Sequence, residues 1–266
     1  VTNIDREHLD YYKNLSAIKK AFVQFIHNVN PDGFVVLNRE NKILHELGKK
    51  IKRPIVWYDT KGKDASTVKK VMQISGMHNL SNAIGAYTIA RALGIKKQVI
   101  VKAIGAYTGT WRRSEYRGTY NGTPVYDDYG HHPTEIIATL KGFHEKFPDK
   151  KIVCVFQPHQ RERLKLLFKN FVACFDDADE LILWDVYDVA GREEKENPYD
   201  SKALARAIER RRKKTVPVVS SIKELKSALS TFHFPLSTVV IIMMGAGNIN
   251  EQTDKLLATS HEPRVY

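Results

Sequence analysis

The stretch Tyr126-Asp127-Asp128-Tyr129-Gly130-His131-His132-Pro133-Thr134-Glu135 sets two carboxylates, two imidazoles and a helix start directly after a strand-like run. A strand entering a Pro-Thr-Glu helix start leaves backbone N–H groups and short polar side chains at the carboxyl edge of a sheet, where open α/β folds hold ligands. It predicts an α/β fold with a site at a strand exit. A solvated loop with a histidine pair has the same local sequence, so the neighbouring segments decide between the two.

Downstream, strands and helices alternate. Arg117 to Tyr120 and Thr123 to Asp127 flank Asn121-Gly122, a two-residue hairpin signal. Helical spacing at Ile136, Ile137, Leu140, Phe143 and Phe147 precedes the apolar run Ile152 to Phe156. A second helix is expected to carry Leu164, Leu167, Phe168, Phe171 and Phe175 on one face, before the strand Leu181 to Trp184. A helix from Ser201 to Lys214 leads to a strand at Val216 to Val219, and Ser221 to Glu224 reads as a capping box opening the next helix. The last strand, Val239 to Met244, runs into Gly245-Ala246-Gly247. Nearly continuous apolar strands indicate a parallel sheet covered on both faces, a doubly wound, Rossmann-like domain. Polar clusters then fall at its strand exits: Asp127-Asp128, Gln157-Pro158-His159, Asp185-Val186-Tyr187 and the Gly-Ala-Gly turn. That turn is not a full G-x-G-x-x-G, so no dinucleotide is inferred.

The first hundred residues read as a different α/β unit, with helical spacing from Leu15 to Phe25, a strand at Gly33 to Leu37, a short helix near Ile43 to Leu47 and a strand at Pro54 to Tyr58. The expected domains are residues 1–107 and 108–266.

At 266 residues the chain can fold two ordinary domains. Apolar residues at 42% and charged residues at 27% describe a globular protein, and no apolar run approaches the roughly 20 residues a membrane span needs. Cys154 and Cys174 make no disulfide framework, and the opening Val1-Thr2-Asn3-Ile4-Asp5 has no secretory character, so a cytoplasmic setting is expected. The formal charge of +12 raises the question of nucleic acid. Its densest run, Arg210-Arg211-Arg212-Lys213-Lys214, closes a helix, where the macrodipole favours cations, and no nucleic-acid motif accompanies it. A small anionic substrate accounts for a basic surface equally well.

Five segments, in order, resemble the Mur ligase family: His78-Asn79-Leu80-Ser81-Asn82, Gly109-Thr110-Trp111-Arg112-Arg113, the Asp127 to Glu135 stretch, Phe156-Gln157-Pro158-His159, and Met244-Gly245-Ala246-Gly247-Asn248-Ile249. Within that family they are most similar to the members that join L-alanine to UDP-N-acetylmuramate in peptidoglycan precursor synthesis. The resemblance implies a partial central ATPase domain followed by the C-terminal domain, with ATP and Mg2+ as cofactors. In the implied reaction a carboxylate is phosphorylated by ATP and an amine then attacks the acyl phosphate, which demands positioning and charge neutralisation.

By that resemblance Asn79, Asn82, Arg113 and Asp128 bind the nucleotide, with Arg113 at the phosphates and Asp128 at the ribose; Arg113, Asp128 and His132 form the catalytic set; Tyr129, His131, His159 and Arg163 form the amino-acid pocket; and His8 is the magnesium ligand. A hinge near Thr108 to Trp111 would close one domain on the other. Each assignment has a plainer counterpart: helix caps for the asparagines, a surface ion pair for Arg112-Arg113 with Glu115, a structural cap for His8, and a transition-metal site for Asp127, Asp128, His131 and His132. Gln160 stands where many members carry arginine, which leaves open a ligase for another amino acid or a peptide; Arg163 is the expected carboxylate clamp and Arg161 the alternative. No G-x-x-x-x-G-K-[ST] phosphate loop occurs, Tyr58 to Gly76 is shorter than the family's usual insertion, and by resemblance the first magnesium carboxylate and a UDP-binding domain precede Val1. The expectation is that an N-terminal part is required and that this chain alone is inactive. A non-catalytic nucleotide-binding or scaffold module is the rival reading.

Overall fold

The computed structural model describes residues 1–188, 198–232 and 235–258. The chain divides into two compact units, Val1–Thr108 and Gly109–Tyr266.

In the first unit, α1 (Leu9–Tyr12) and α2 (Leu15–His27) precede β1 (Val35–Asn38), α3 (Lys42–Gly48) and β2 (Ile55–Tyr58). β1 and β2 pair in parallel. Val1 lies on the other edge of β1, its ammonium donating to the Val36 carbonyl at 2.7 Å and its carbonyl accepting from the Asn38 N–H at 3.3 Å. Three further helices, α4 (Lys63–Val71), α5 (Met77–Ala92) and α6 (Lys97–Ala106), pack Val68, Leu80, Ile84, Tyr87 and Ile100 against Val36 and Tyr58. Gly76, with φ 101°, caps α5, so Asn79 and Asn82 are not cap residues; they sit on its first turns.

The second unit begins with β3 (Glu115–Tyr120) and β4 (Thr123–Asp128), an antiparallel hairpin. Its turn residues Asn121 and Gly122 both have positive φ, 49° and 75°, the geometry that matches the right-handed twist of paired strands. Then follow α7 (Pro133–Lys146), β5 (Lys151–Phe156), α8 (Arg161–Leu166), α9 (Phe168–Ala173), β6 (Glu180–Trp184), α10 (Ser201–Arg212), β7 (Val218–Val219), α11 (Ile222–Ser230), β8 (Val239–Met244) and α12 (Ile249–Leu257). The sheet order is β3-β4-β8-β5-β6-β7, parallel from β4 onward. Successive side chains of β5 face opposite layers. Val153 and Val155 join Leu225, Leu229, Ile249 and Leu256 of α11 and α12. On the other face Phe156 meets Phe171 and Phe175, ring centroids 5.9 and 5.1 Å away.

Three expectations change in detail. The helix expected through Leu164 and Phe175 breaks at Leu167 (φ −115°) into α8 and α9, although Leu164, Leu167, Phe171 and Phe175 are all buried. The strand expected at Val216 shrinks to Val218–Val219, because Val216 N–H turns to the Glu209 carboxylate and Pro217 has no N–H to give. At α11, Ser221 accepts from Glu224 N–H as expected, but the Glu224 carboxylate reaches back to Ser220.

The basic run is engaged locally. Arg211 pairs with Asp176, Arg212 donates to the Ala178 carbonyl, and Lys214 reaches Asp179 O and Glu180. These contacts tie the end of α10 to the loop before β6.

Candidate active site

Because β4, β8, β5 and β6 are consecutive neighbours, their four exits lie side by side. Asp128, Met244 and Phe156 are in register, and Phe156 in turn pairs with Leu183. The polar clusters at 127–128, 245–247, 157–159 and 185–187 thus share one edge, and backbone bonds stitch them together: Gly245 N–H to Asp128 O at 3.0 Å, Gln157 N–H to Met244 O at 2.8 Å, and Tyr187 N–H to Pro158 O at 2.8 Å.

Each titratable side chain of the Asp127 to Glu135 stretch has a defined partner. Asp128 is buried and accepts four hydrogen bonds: from Ser114 N–H (2.9 Å) and Oγ (3.1 Å) at one oxygen, from Gly130 N–H (2.9 Å) and Thr139 Oγ1 (3.2 Å) at the other. That matches the roughly four lone-pair sites of a carboxylate. Asp127, equally buried, pairs with Arg117 and takes the Thr253 hydroxyl. Burial outweighs both partners and raises its pKa to about 6. Both aspartates are committed to their own chain's donors, away from any shared ion site with the two histidines.

His132 opens α7, its Nδ1 accepting Thr134 N–H at 3.3 Å, while the Glu135 carboxylate returns to the N–H groups of His131 and His132. A reciprocal cap with imidazole in the place of a hydroxyl follows from Pro133 at the first helical position and Glu135 at the third. The ring proton of neutral His132 is therefore on Nε2. His131 has the opposite tautomer: Nδ1 lies 3.0 Å from the Tyr129 carbonyl, which only accepts, so the proton is on Nδ1. His159 Nδ1 lies 3.1 Å from Arg163 Nη1, and a guanidinium only donates, so neutral His159 carries its proton on Nε2.

The rings form a row. Tyr129 meets His131 edge-on at 5.4 Å, His131 lies 6.1 Å from His159, and His159 stacks on Tyr187 at 5.5 Å with 13° between planes. Arg163 also donates to the His159 carbonyl at 3.2 Å, whereas Arg161 is held by Asp188 at 2.7 Å. Tyr129, His131, His159 and Arg163 thus come together, and the structure adds Tyr187, which the sequence offered only as a strand-exit residue.

The two adjacent arginines separate. Arg112, in a left-handed conformation (φ 55°), is buried and donates from Nη2 to the carbonyls of Gly245 and Gly247, while its Cζ lies 5.0 Å from the Tyr129 ring centroid. Arg113 is exposed, 5.3 Å from the other residues' shared ring, Tyr129. In place of the alternative surface pair with Glu115, the Arg112 backbone N–H donates to that carboxylate at 2.8 Å. No local sequence signal distinguishes a buried from an exposed member of an Arg-Arg pair.

In the first unit Asn79 Nδ2 donates to the Ser75 carbonyl at 2.7 Å, and Asn82 is exposed. His8 is exposed with φ 51°, at the start of a four-residue helix. Magnesium takes oxygen ligands, commonly one or two carboxylates with substrate phosphates. Among the described residues no three His, Cys, Asp or Glu side chains converge on a point, so they do not by themselves form a magnesium cage.

The family pattern described as Mur ligase, glutamate ligase domain, matches residues 112–247, and that of the Mur ligase middle domain matches residues 1–90. The chain belongs to the Mur ligase family. Among curated relatives of this Mur ligase chain, a UDP-N-acetylmuramate--L-alanine ligase of Aquifex aeolicus is 33% identical over 281 residues, covering 97% of this chain and 59% of that protein. One of Clostridium perfringens is 36% identical over 230 residues, covering 78% of this chain and 50% of that protein. The chain thus spans between half and three fifths of those relatives' length. Of solved structures, a UDP-N-acetylmuramate-alanine ligase from Thermotoga maritima superposes with a TM-score of 0.68 at 22% identity, covering 97% of this chain and 58% of that one. MurF from Acinetobacter baumannii gives 0.69 at 16% identity, with the same coverage of both chains. These likenesses establish the fold of the Mur ligase middle and C-terminal domains. Among the described residues no helix is long and apolar enough to cross a membrane.

Proposed function

We propose that this Mur ligase chain contributes the amino-acid-binding part of an ATP-dependent amide ligase that joins L-alanine to the carboxylate of UDP-N-acetylmuramate in peptidoglycan precursor synthesis. The observation that carries the reading is the cluster at the β4 and β5 exits: a guanidinium on Arg163, and two imidazoles whose neutral forms carry their protons on Nε2 at His159 and on Nδ1 at His131. Arg163 and His159 offer donors suited to an amino acid's carboxylate. His131 offers a base of the kind needed to take a proton from an attacking amine. The names of the curated relatives support the same substrates.

ATP supplies the phosphoryl group that activates the acceptor carboxylate. Exposed Arg113 of the second unit is proposed to meet its phosphates. Asp128, with its four internal donors, holds the loop; a ribose contact would replace one of them. His132 orients α7 through its cap and serves the reaction by placing His131. No magnesium step is assigned to His8.

Because the sequence holds no phosphate loop, the activity requires an N-terminal part. Phosphate release and ligated product, measured with UDP-N-acetylmuramate and L-alanine, are expected from a protein in which residues 1–266 are joined to that part, and not from the 266-residue chain alone. Product with another amino acid or a peptide, but none with L-alanine, would move the reading to the alternative that Gln160 leaves open. No product with any amine substrate would overturn the ligase reading.

A further inference from the structure

Resting on the amino-acid pocket just proposed, we infer that Tyr187 is a positioning residue for it: stacking of its ring fixes the plane of His159, and through His159 the place of Arg163. Two backbone bonds hold Tyr187 beside His159, its N–H to Pro158 O at 2.8 Å and its carbonyl from Gln160 N–H at 2.9 Å, so the residues flanking His159 on either side are tied to this one tyrosine. The bond to Gln160 accompanies an unusual backbone, since Gln160 has φ 66° and is not glycine. The ring then lies nearly parallel to the imidazole, 5.5 Å away at 13°.

Offset stacking is a favoured geometry for aromatic rings, so the Tyr187 ring biases the imidazole towards the parallel plane it holds here. The Arg163 guanidinium meets the edge of that imidazole at Nδ1, so a tilt of the ring weakens the bond that favours the Nε2–H tautomer.

The place of Tyr187 is also set by a residue far away in sequence. A methyl group on Gly247 would come 2.5 Å from Tyr187 Cγ and 2.6 Å from its Cβ, and also 2.5 Å from Gln157 Oε1. These separations are too short for carbon against carbon or carbon against oxygen, so the ring occupies its place because residue 247 has no side chain. Gly247 φ does not lie in the left-handed region. The requirement is for space, not for backbone freedom. In this way the segments after β8 and β6 jointly seat the tyrosine that aligns a histidine just past β5.

The test has one arm without substrate and one with it. In the 266-residue chain, 15N shifts of the His159 ring are expected to report the Nε2–H tautomer in the wild type and in Tyr187→Phe, which keeps the stack. Tyr187→Ala and Gly247→Ala are expected to give a tautomer mixture. With the N-terminal part present, L-alanine KM is expected to rise about tenfold or more in Tyr187→Ala and Gly247→Ala, to stay within about twofold in Tyr187→Phe, and to leave ATP KM near the wild-type value. An unchanged His159 tautomer in Tyr187→Ala overturns the positioning role even if alanine binding falls. A changed tautomer with normal L-alanine KM retains the link to His159 but overturns the link to the pocket. Should the wild type ligate some other amine and not L-alanine, the functional reading fails while the tautomer arm still judges Tyr187.

Discussion

Arg112 and Gly247 are joined by a hydrogen bond of 2.9 Å from the buried guanidinium to the glycine carbonyl, and the same nitrogen donates to Gly245 O. The β3 side of the sheet thereby holds the turn after β8 in the conformation that leaves room for Tyr187. Replacing Arg112 by Met removes the nitrogen that makes both bonds and leaves two carbonyls without their charged partner, each such bond being worth about 1.5–3 kcal/mol. Arg112→Met is expected to lower the urea midpoint of the second unit by the equivalent of about 3–5 kcal/mol with little change in m-value. A midpoint within about 0.5 kcal/mol of wild type would show that the bonds are exchanged for water at no cost.

Asp127 gives a pH dependence with a definite sign. Burial raises its folded pKa to about 6 from the ordinary 3.8, so between these values the native state holds more protons than the unfolded chain. Its contribution therefore increases as pH falls from about 6 towards 4, by up to about 3 kcal/mol. The ionised carboxylates of Asp64, Asp176 and Asp179, whose pKa values are lowered, act in the opposite direction, and their stabilisation is lost as pH falls. The measurement is thus a difference: stability of wild type minus Asp127→Asn, followed from pH 7 to 4, should become more favourable to the wild type on acidification. A flat difference would mean that Arg117 holds Asp127 ionised throughout.

Arg163 and Arg161 should separate cleanly. Truncating a guanidinium that binds a carboxylate in a partly desolvated pocket costs about 2–5 kcal/mol, so Arg163→Ala should raise the L-alanine KM of the enzyme with its N-terminal part at least tenfold. ATP KM should hardly move. Arg161, bound to Asp188, should change L-alanine KM by less than about twofold when replaced by Ala. Reversed effects would transfer the clamp to Arg161.

For the basic end of α10 the expected outcome is small. Arg211 and Asp176 are both about half exposed, and such pairs contribute about 0–1 kcal/mol. Neutralising Arg210, Arg211 and Lys213 together should leave ligase activity within about twofold. Tight duplex or single-strand binding at physiological salt, lost in that variant with a steep salt slope, would support the nucleic-acid alternative.

Local chemistry wrote much of the fold into the sequence. Runs such as Ile152 to Phe156 and Val239 to Met244, the Asn121-Gly122 turn and the Pro133 to Glu135 helix start depend on side-chain period, positive φ and capping, all of which act within a few residues. They were enough to predict a parallel sheet with a ligand edge, and the five family segments were enough to name its likeness. Tertiary structure alone decided which exits adjoin. With β8 inserted between β4 and β5, Asp128, Gly245 and Gln157 become neighbours, although nothing in any one strand encodes its partner. The same long-range packing chose Arg112 for the interior and Arg113 for solvent, gave Arg161 to Asp188, and seated Tyr187 against Gly247. Burial and hydrogen-bond partners belong to positions in space, and residues of one type at adjacent positions in sequence acquire different chemistry only when the sheet has brought their partners to them.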